Sequence, residues 1–392
     1  MIKHVANARI SDEWSAATLF GVERAKRVRA FHASLPAYQP TALRRLDDLA
    51  EKLGLAALFV KDESTRFGLN AFKGLGGSYC VGRLLAKLAG IAEDDLTFGR
   101  LQQDDVREIA KALTLVTATD GNHGRGIAWT AREFGASSVV YMPKGSSQER
   151  LENIRALGAQ AQITDVNYDD TVRFAAQRAE ERGWMLVQDT AWEGYEEIPT
   201  WIMQGYTTMA LEAVDQLDDE APTHVFLQAG VGAMSGAITA YFADRYRGNR
   251  PIVVIVEPNA ADCVYRTAKA DDGELHTVDG DLDTIMAGLS CGEPCSIGWE
   301  MLSRYADHFM SVPDKVAEKG MRVLASPGGG DSPIVSGESG AVTAGLVVEL
   351  MTNESLTELR DVIGLGPKSK ALCISTEGDT DRENYKRIVF GS

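Results

Sequence analysis

From residue 55 onward, short β-branched runs alternate with longer segments of helical period, and this alternation restricts the fold more than any other feature of the chain. Leu58 to Lys61 reads as a strand and Ala71 to Leu88 as a helix; Leu113 to Ala118 reads as a strand and His123 to Phe134 as a helix. Ser138 to Met142 is a strand that Pro143 ends. Helices near 147–157 and 168–182 then alternate with strands near 160–163 and 185–188. Thr223 to Gln228 and Ile252 to Glu257 are apolar enough for buried strands, and Ala371 to Ser375 brings the C-terminal end into the core. Such a succession builds a parallel sheet with helices on both faces. The acidic stretch Asp215 to Pro222 holds the first strong breaker after a long helical segment.

A chain of 392 residues suggests two or three domains at roughly 150 residues each. With 40 basic and 56 acidic side chains the formal charge is −16, which disfavours nucleic acid or an anionic membrane as a partner. No apolar window approaches a membrane span, and Met1 to Ile10 has no apolar run behind a basic stretch, so a cytoplasmic protein is expected. Cys80, Cys263, Cys291, Cys295 and Cys373 read as reduced thiols. Cys291 and Cys295 lack the second Cys/His pair that a zinc site needs, and a bridge from Cys263 to either stays open.

Two segments carry chemistry. Gly230-Val231-Gly232-Ala233-Met234, with Gly236 beyond it, follows a strand and opens a helix, so its N–H groups can cradle a phosphate. Its spacing is not G-x-G-x-x-G, but Glu257 ends the next strand where a ribose-binding acid would sit. The loop alone leaves phosphate binding, dinucleotide binding and tight packing open. Lys73 lies at a helix start among Phe67, Phe72 and several glycines. Burial there would lower its pKa and suit a Schiff-base nucleophile, whereas a solvated surface lysine is the plain alternative.

The stretch Pro36 to Gly77, with Thr41-Ala42-Leu43, Lys61-Asp62-Glu63 and Ala71-Phe72-Lys73, resembles the opening of fold type II pyridoxal-phosphate enzymes such as the threonine and serine dehydratases. The family's T-P-L is T-A-L here. The match is closest to the diaminopropionate ammonia-lyases and spans nearly the whole chain. The resemblance implies a two-lobed, tryptophan synthase β-like α/β fold of twisted, mostly parallel sheets. The smaller lobe would be residues 81–194 and the larger 1–80 with 195–392. It also implies pyridoxal 5'-phosphate, held by Lys73 as a Schiff base and by the N–H groups of Gly230 to Met234. Asn122 would face the ring, Thr119, Asp120, Gly121 and His123 the substrate carboxylate, and Ser375 or Thr376 the pyridine nitrogen.

Asp120 and Asp189 set this chain apart from a dehydratase. By resemblance, Lys73 takes the α-proton of the L-substrate, Asp120 that of the D-substrate, and Asp189 manages the proton of the leaving amine. Near the substrate carboxylate and phosphate the pKa of Asp120 would rise. The plain alternatives are a helix N-cap for Asp120 and a strand-end turn for Asp189. Ser336 to Ala341 resembles the E-x-S-G-A segment of the dehydratases, or is an N-cap with a small-residue helix contact. The aromatic stretch Trp192, Tyr195, Ile198, Pro199, Trp201 and Tyr206 reads as core and subunit interface, with a lid as the alternative. The expectation is a homodimer acting on a small amino acid, 2,3-diaminopropionate, with release of pyruvate and two ammonia. A dehydratase of the same fold, a nicotinamide-dependent oxidoreductase and a non-catalytic binding protein are the rivals.

Overall fold

The computed structural model describes residues 1–218 and 220–391. Its strands, in chain order, are β1 (Lys3–Ala6), β2 (Leu43–Arg45), β3 (Ala57–Asp62), β4 (Thr114–Ala118), β5 (Ser137–Met142) and β6 (Gln160–Ile163). They continue with β7 (Met185–Leu186), β8 (His224–Gln228), β9 (Ile252–Pro258), β10 (His308–Val312) and β11 (Lys370–Ser375). The described residues form one sheet in the order β1-β10-β9-β8-β11-β3-β2 and another in the order β6-β5-β4-β7. All pairings are parallel except those of the edge strands β1 and β2. Both edges of the larger sheet therefore come from the N-terminal quarter of the chain, while the C-terminal β11 lies inside it between β8 and β3.

Successive residues of a strand point to opposite faces, and in the larger sheet both faces are apolar. Phe59, Leu227, Ile255 and Ile374 enter one core layer, and Val60, Phe226, Val256 and Cys373 the other. Continuous apolar runs, rather than alternating ones, are the consequence.

Six helices carry or brace the chemistry-bearing segments: α1 (Gly74–Ala89), α2 (Asn122–Phe134), α3 (Gln148–Arg155), α4 (Tyr168–Arg182), α5 (Glu197–Gln216) and α6 (Ala233–Arg245). Helix α1 begins three residues later than periodicity predicts, because the N–H of Phe72 donates to Thr376 O and ties that segment to the end of β11. Strand β7 is shorter than 185–188 because the N–H of Gln188 donates to the Tyr195 hydroxyl at 2.9 Å instead of to a strand. The breaker after α5 is where the alternation placed it, with Asp219 outside the described residues.

Candidate active site

The site residues lie just past the C-terminal ends of parallel strands, where backbone N–H groups of the following helices point outward. Segments after β3, β4, β7, β8 and β11 converge on a cleft of about 690 Å³, lined among others by Lys73, Asp120, Asn122, Asp189 and Thr376. A second chamber of about 840 Å³ adjoins it, and Asp120, Tyr168 and Ala287 stand on the walls of both.

The approach to Lys73 is a forced turn. Phe67 and Asn70 both have positive φ (52° and 56°), a conformation that costs energy and persists only where neighbours impose it. The neighbours are visible: Phe67 stacks on Trp129 at 4.6 Å, the Asn70 amide donates to Asp379 at 3.0 Å, and Gly378 N–H donates to Asn70 O at 3.0 Å. Gly126 of α2 sits against the backbone of Lys73, where an added Cβ would come within 2.9 Å of its carbonyl carbon. Lys73 thus projects Nζ into the cleft, 5.2 Å from the centre of the Phe72 ring and 5.6 Å from that of Tyr206.

Burial was expected to lower the pKa of Lys73, and the structure corrects this. Burial does oppose its charge, but Nζ donates to the Asp189 carboxylate, and that partner, with Tyr206, holds the amine above its usual range. Burial likewise opposes the charge of Asp189, yet nearby His123 and Lys73 bring its carboxyl down to about 2. His123 is buried, its Nε2 donates to Val187 O at 2.8 Å, and its Nδ1 lies 3.6 Å from Asp189. Burial lowers the His123 pKa, Asp189 opposes that shift, and Nδ1 has no hydrogen-bond partner.

Asp120 is not the N-cap of α2. Gly121 holds that position, and the Thr119 hydroxyl accepts the N–H groups of Gly121 (2.9 Å) and Gly124 (3.0 Å). Asp120 is left free to face the cleft. Burial raises its pKa, as expected in direction, and Arg150 counters part of that rise. Asn122 also lines the cleft, its amide donating to the buried carboxylate of Glu377.

Gly230 to Met234 line the same cleft. Gly232 adopts φ +90° as the N-cap of α6, which a side chain would resist, and the first N–H groups of that helix have no partner within it. Glu257 is fully buried and accepts from Val264 N–H (2.9 Å) and Tyr265 N–H (2.6 Å) of the next helix, so it cannot serve a ribose and the dinucleotide reading falls. Ser375 and Thr376 diverge: the Ser375 hydroxyl donates to Ser336 at 2.7 Å away from the cleft, whereas Thr376 lines it and accepts from Gln228 at 3.0 Å.

Other motif residues do different work. Thr41, Lys61 and Glu63 form a buried network with Arg66 and Glu212 that pins β3 to α5. In the E-x-S-G-A segment Gly337, not Ser336, is the N-cap of the helix beginning at Glu338, and Ser339 N–H donates to Glu377 at 3.1 Å. All five cysteines are free and buried, so neither open bridge forms. In the aromatic stretch Tyr206 is fully buried beside Lys73, while Trp192 is partly exposed and stacked on Tyr195. Sequence reasoning missed Arg150, Gln228, Glu377 and Tyr206. Gln228 and Glu377 border segments that carry chemistry and Tyr206 lies in the aromatic stretch, but their roles depend on contacts distant in the chain, and Arg150 lies in no motif.

The donor set fits a phosphorylated aldehyde. A lysine and a positive helix terminus line one cleft, Asn122 and Thr376 offer polar groups for a ring there, and the Gln228 side-chain carbonyl oxygen lacks a hydrogen-bond partner. A family model described as "Pyridoxal-phosphate dependent enzyme" matches residues 34–363. The chain is 51% identical over 367 residues, 93% of its length and 91% of the relative's, to diaminopropionate ammonia-lyase of Salmonella typhimurium. The structure of holo diaminopropionate ammonia lyase from Escherichia coli superposes with a TM-score of 0.93 at 47% identity, over 100% of this chain and 97% of that one. The same Escherichia coli enzyme in complex with D-serine gives a TM-score of 0.93 at 46% identity over the same shares. The chain belongs to the pyridoxal-phosphate dependent enzymes and, within them, to the diaminopropionate ammonia-lyase family.

Proposed function

We propose that this chain eliminates ammonia from 2,3-diaminopropionate to give pyruvate and two ammonia, with pyridoxal 5'-phosphate between Lys73 and the loop Gly230 to Met234. One observation carries the reading: two carboxylates, Asp120 and Asp189, line the same cleft as Lys73, an arrangement suited to a substrate with two ammonium groups. When bound, the cofactor draws electrons from Cα and so makes its proton removable. Lys73 Nζ holds the cofactor and, once released, takes the α-proton of the L-isomer. Asp120 serves the D-isomer from the opposite face. Asp189 Oδ2, which accepts from Lys73 Nζ, moves that proton to the departing β-nitrogen, since an amine leaves poorly unless protonated. The residues Thr119, Gly121 and His123 orient the substrate carboxylate at the N-terminus of α2. Asn122 and Thr376 fix the ring, with Ser375 turned away toward Ser336.

The lobes divide near residues 80 and 194, one about each sheet. The homodimer that the family resemblance implies belongs to the same reading, as does a reducing, cytoplasmic setting, which five free thiols fit. Among the described residues no helix is long and apolar enough to cross a membrane.

The test is a panel of D- and L-amino acids incubated with the holoenzyme, with keto acid and ammonia counted. Two ammonia per pyruvate from 2,3-diaminopropionate is expected. Faster release of 2-oxobutyrate from threonine, or of pyruvate from D-serine, would replace this reading with a dehydratase.

A further inference from the structure

Arg150 is absent from every motif, yet it touches segments that follow strands of both sheets. It sits on α3 beside the smaller sheet, and its side chain is buried. Nη2 donates to the Thr380 hydroxyl at 3.2 Å, and that hydroxyl donates to Glu377 at 3.3 Å, beyond the end of β11 in the larger sheet. Nη1 lies 3.6 Å from Oδ2 of Asp120, an oxygen that is buried and has no hydrogen-bond partner. Its aliphatic stem packs on Gly121, where an added Cβ would stand 2.9 Å from Arg150 Cδ. The loop carrying Asp120 therefore rests on this side chain.

We infer that Arg150 is a positioning residue, which aims the Asp120 carboxylate into the cleft and keeps it ionised as the base for the D-isomer. The inference rests on the proposed role of Asp120. A base must be deprotonated before it can act, and a carboxylate crowded by its own kind resists ionisation. The groups facing Asp120 are Arg150 from α3, Lys73 ahead of α1, Asp189 after β7, Glu377 after β11, Tyr168 on α4 and Cys291. Burial, Glu377 and Asp189 push its pKa up; Arg150 and Lys73 pull it down, Arg150 the more strongly. Lys73 is already committed to Asp189 and, in the working enzyme, to the cofactor. Arg150 is then the cation left to Asp120. Its own charge is held by Glu377, Asp120, Glu338 and Asp381 against burial, so it stays protonated throughout.

R150Q and R150K are compared with D120N, each as holoenzyme, on both enantiomers of 2,3-diaminopropionate. In R150Q the D-to-L ratio of kcat/KM should fall by about tenfold or more at neutral pH, through kcat rather than KM. The acidic limb of its D-profile should move up by about one pH unit or more, because removing an adjacent cation raises a carboxyl pKa. R150K should recover part of the ratio. A readout independent of turnover is the protonated-carboxyl infrared band that D120N abolishes, which should emerge at higher pH in R150Q. If D120N slows both enantiomers alike, the stereochemical role of Asp120 fails, and this inference with it. A D-selective D120N, beside an R150Q that raises KM equally for both enantiomers and leaves the limb and the band in place, overturns the inference alone. Should R150Q not fold, a limb unshifted in R150H between pH 7 and 9, where the imidazole is neutral, overturns it equally.

Discussion

Nζ of Lys73 donates to Oδ2 of Asp189, joining the segment after β3 of the larger sheet to the segment after β7 of the smaller one. The bond crosses the cleft and sets the charge of both groups. Burial alone would favour a neutral amine and a neutral acid; together the two keep their charges, the lysine above its usual range and the aspartate down to about 2. An amine so held cannot attack a carbonyl until it loses its proton.

In D189N, burial of Lys73 is no longer opposed by its main partner, so the amine should lose its proton at lower pH. Reconstitution of the cofactor-free protein with pyridoxal phosphate should therefore reach full rate at lower pH than in the parent. Elimination should still drop about 10²- to 10⁴-fold for want of the proton carrier. An unshifted reconstitution profile would detach the lysine's charge from Asp189.

K73A should bind pyridoxal phosphate only reversibly, with no label retained after borohydride reduction and peptide mapping. Turnover of the L-isomer should fall by about 10²- to 10⁴-fold from loss of the base alone. Retention of label on another lysine would relocate the site.

Because Thr376 faces the cleft and Ser375 does not, T376V should change the absorbance of the bound cofactor, and S375A should leave it unaltered. S375A should instead cost about 1 kcal/mol of stability, as the buried Ser336 hydroxyl loses its partner. The reverse pattern would exchange their roles.

Gly236 on α6 touches Gly298, where a new Cβ would lie 2.7 Å from the carbonyl oxygen and 2.8 Å from Cα. Backbone cannot yield as a flexible side chain can, so G236A should lower stability by about 1–3 kcal/mol in urea unfolding, with the site residues unchanged. A neutral result would show that α6 can draw away from Gly298 freely.

Glu338 is buried beside Glu377, and burial first, then that neighbour, lift its pKa to about 7. A carboxyl with a raised folded-state pKa stabilises the protein while protonated, and the contribution is lost as pH rises from the unfolded value, near 4.5, through about 7. E338Q should thus have a higher Tm than the parent above pH 7 and little advantage near pH 5. An advantage independent of pH would point to packing rather than charge.

Strand and helix periods are local properties of neighbouring residues, so their alternation, and with it a parallel sheet whose strand ends carry the chemistry, was legible before any contact was known. Lys73, Asn122 and the glycine loop were legible through the family resemblance: each sits in a short segment whose residue order matches the family's, although read alone the lysine and the loop left other readings open. How those segments act on one another emerged only in the folded chain. The protonation of Lys73 depends on a carboxylate 116 residues away, the choice between Ser375 and Thr376 on which way the chain turns after β11, and the charge of Asp120 on Arg150. Glu257, an acid at a strand end like any other in the sequence, became a buried helix cap. Electrostatic and packing energies fall off with distance in space, which chain separation does not measure.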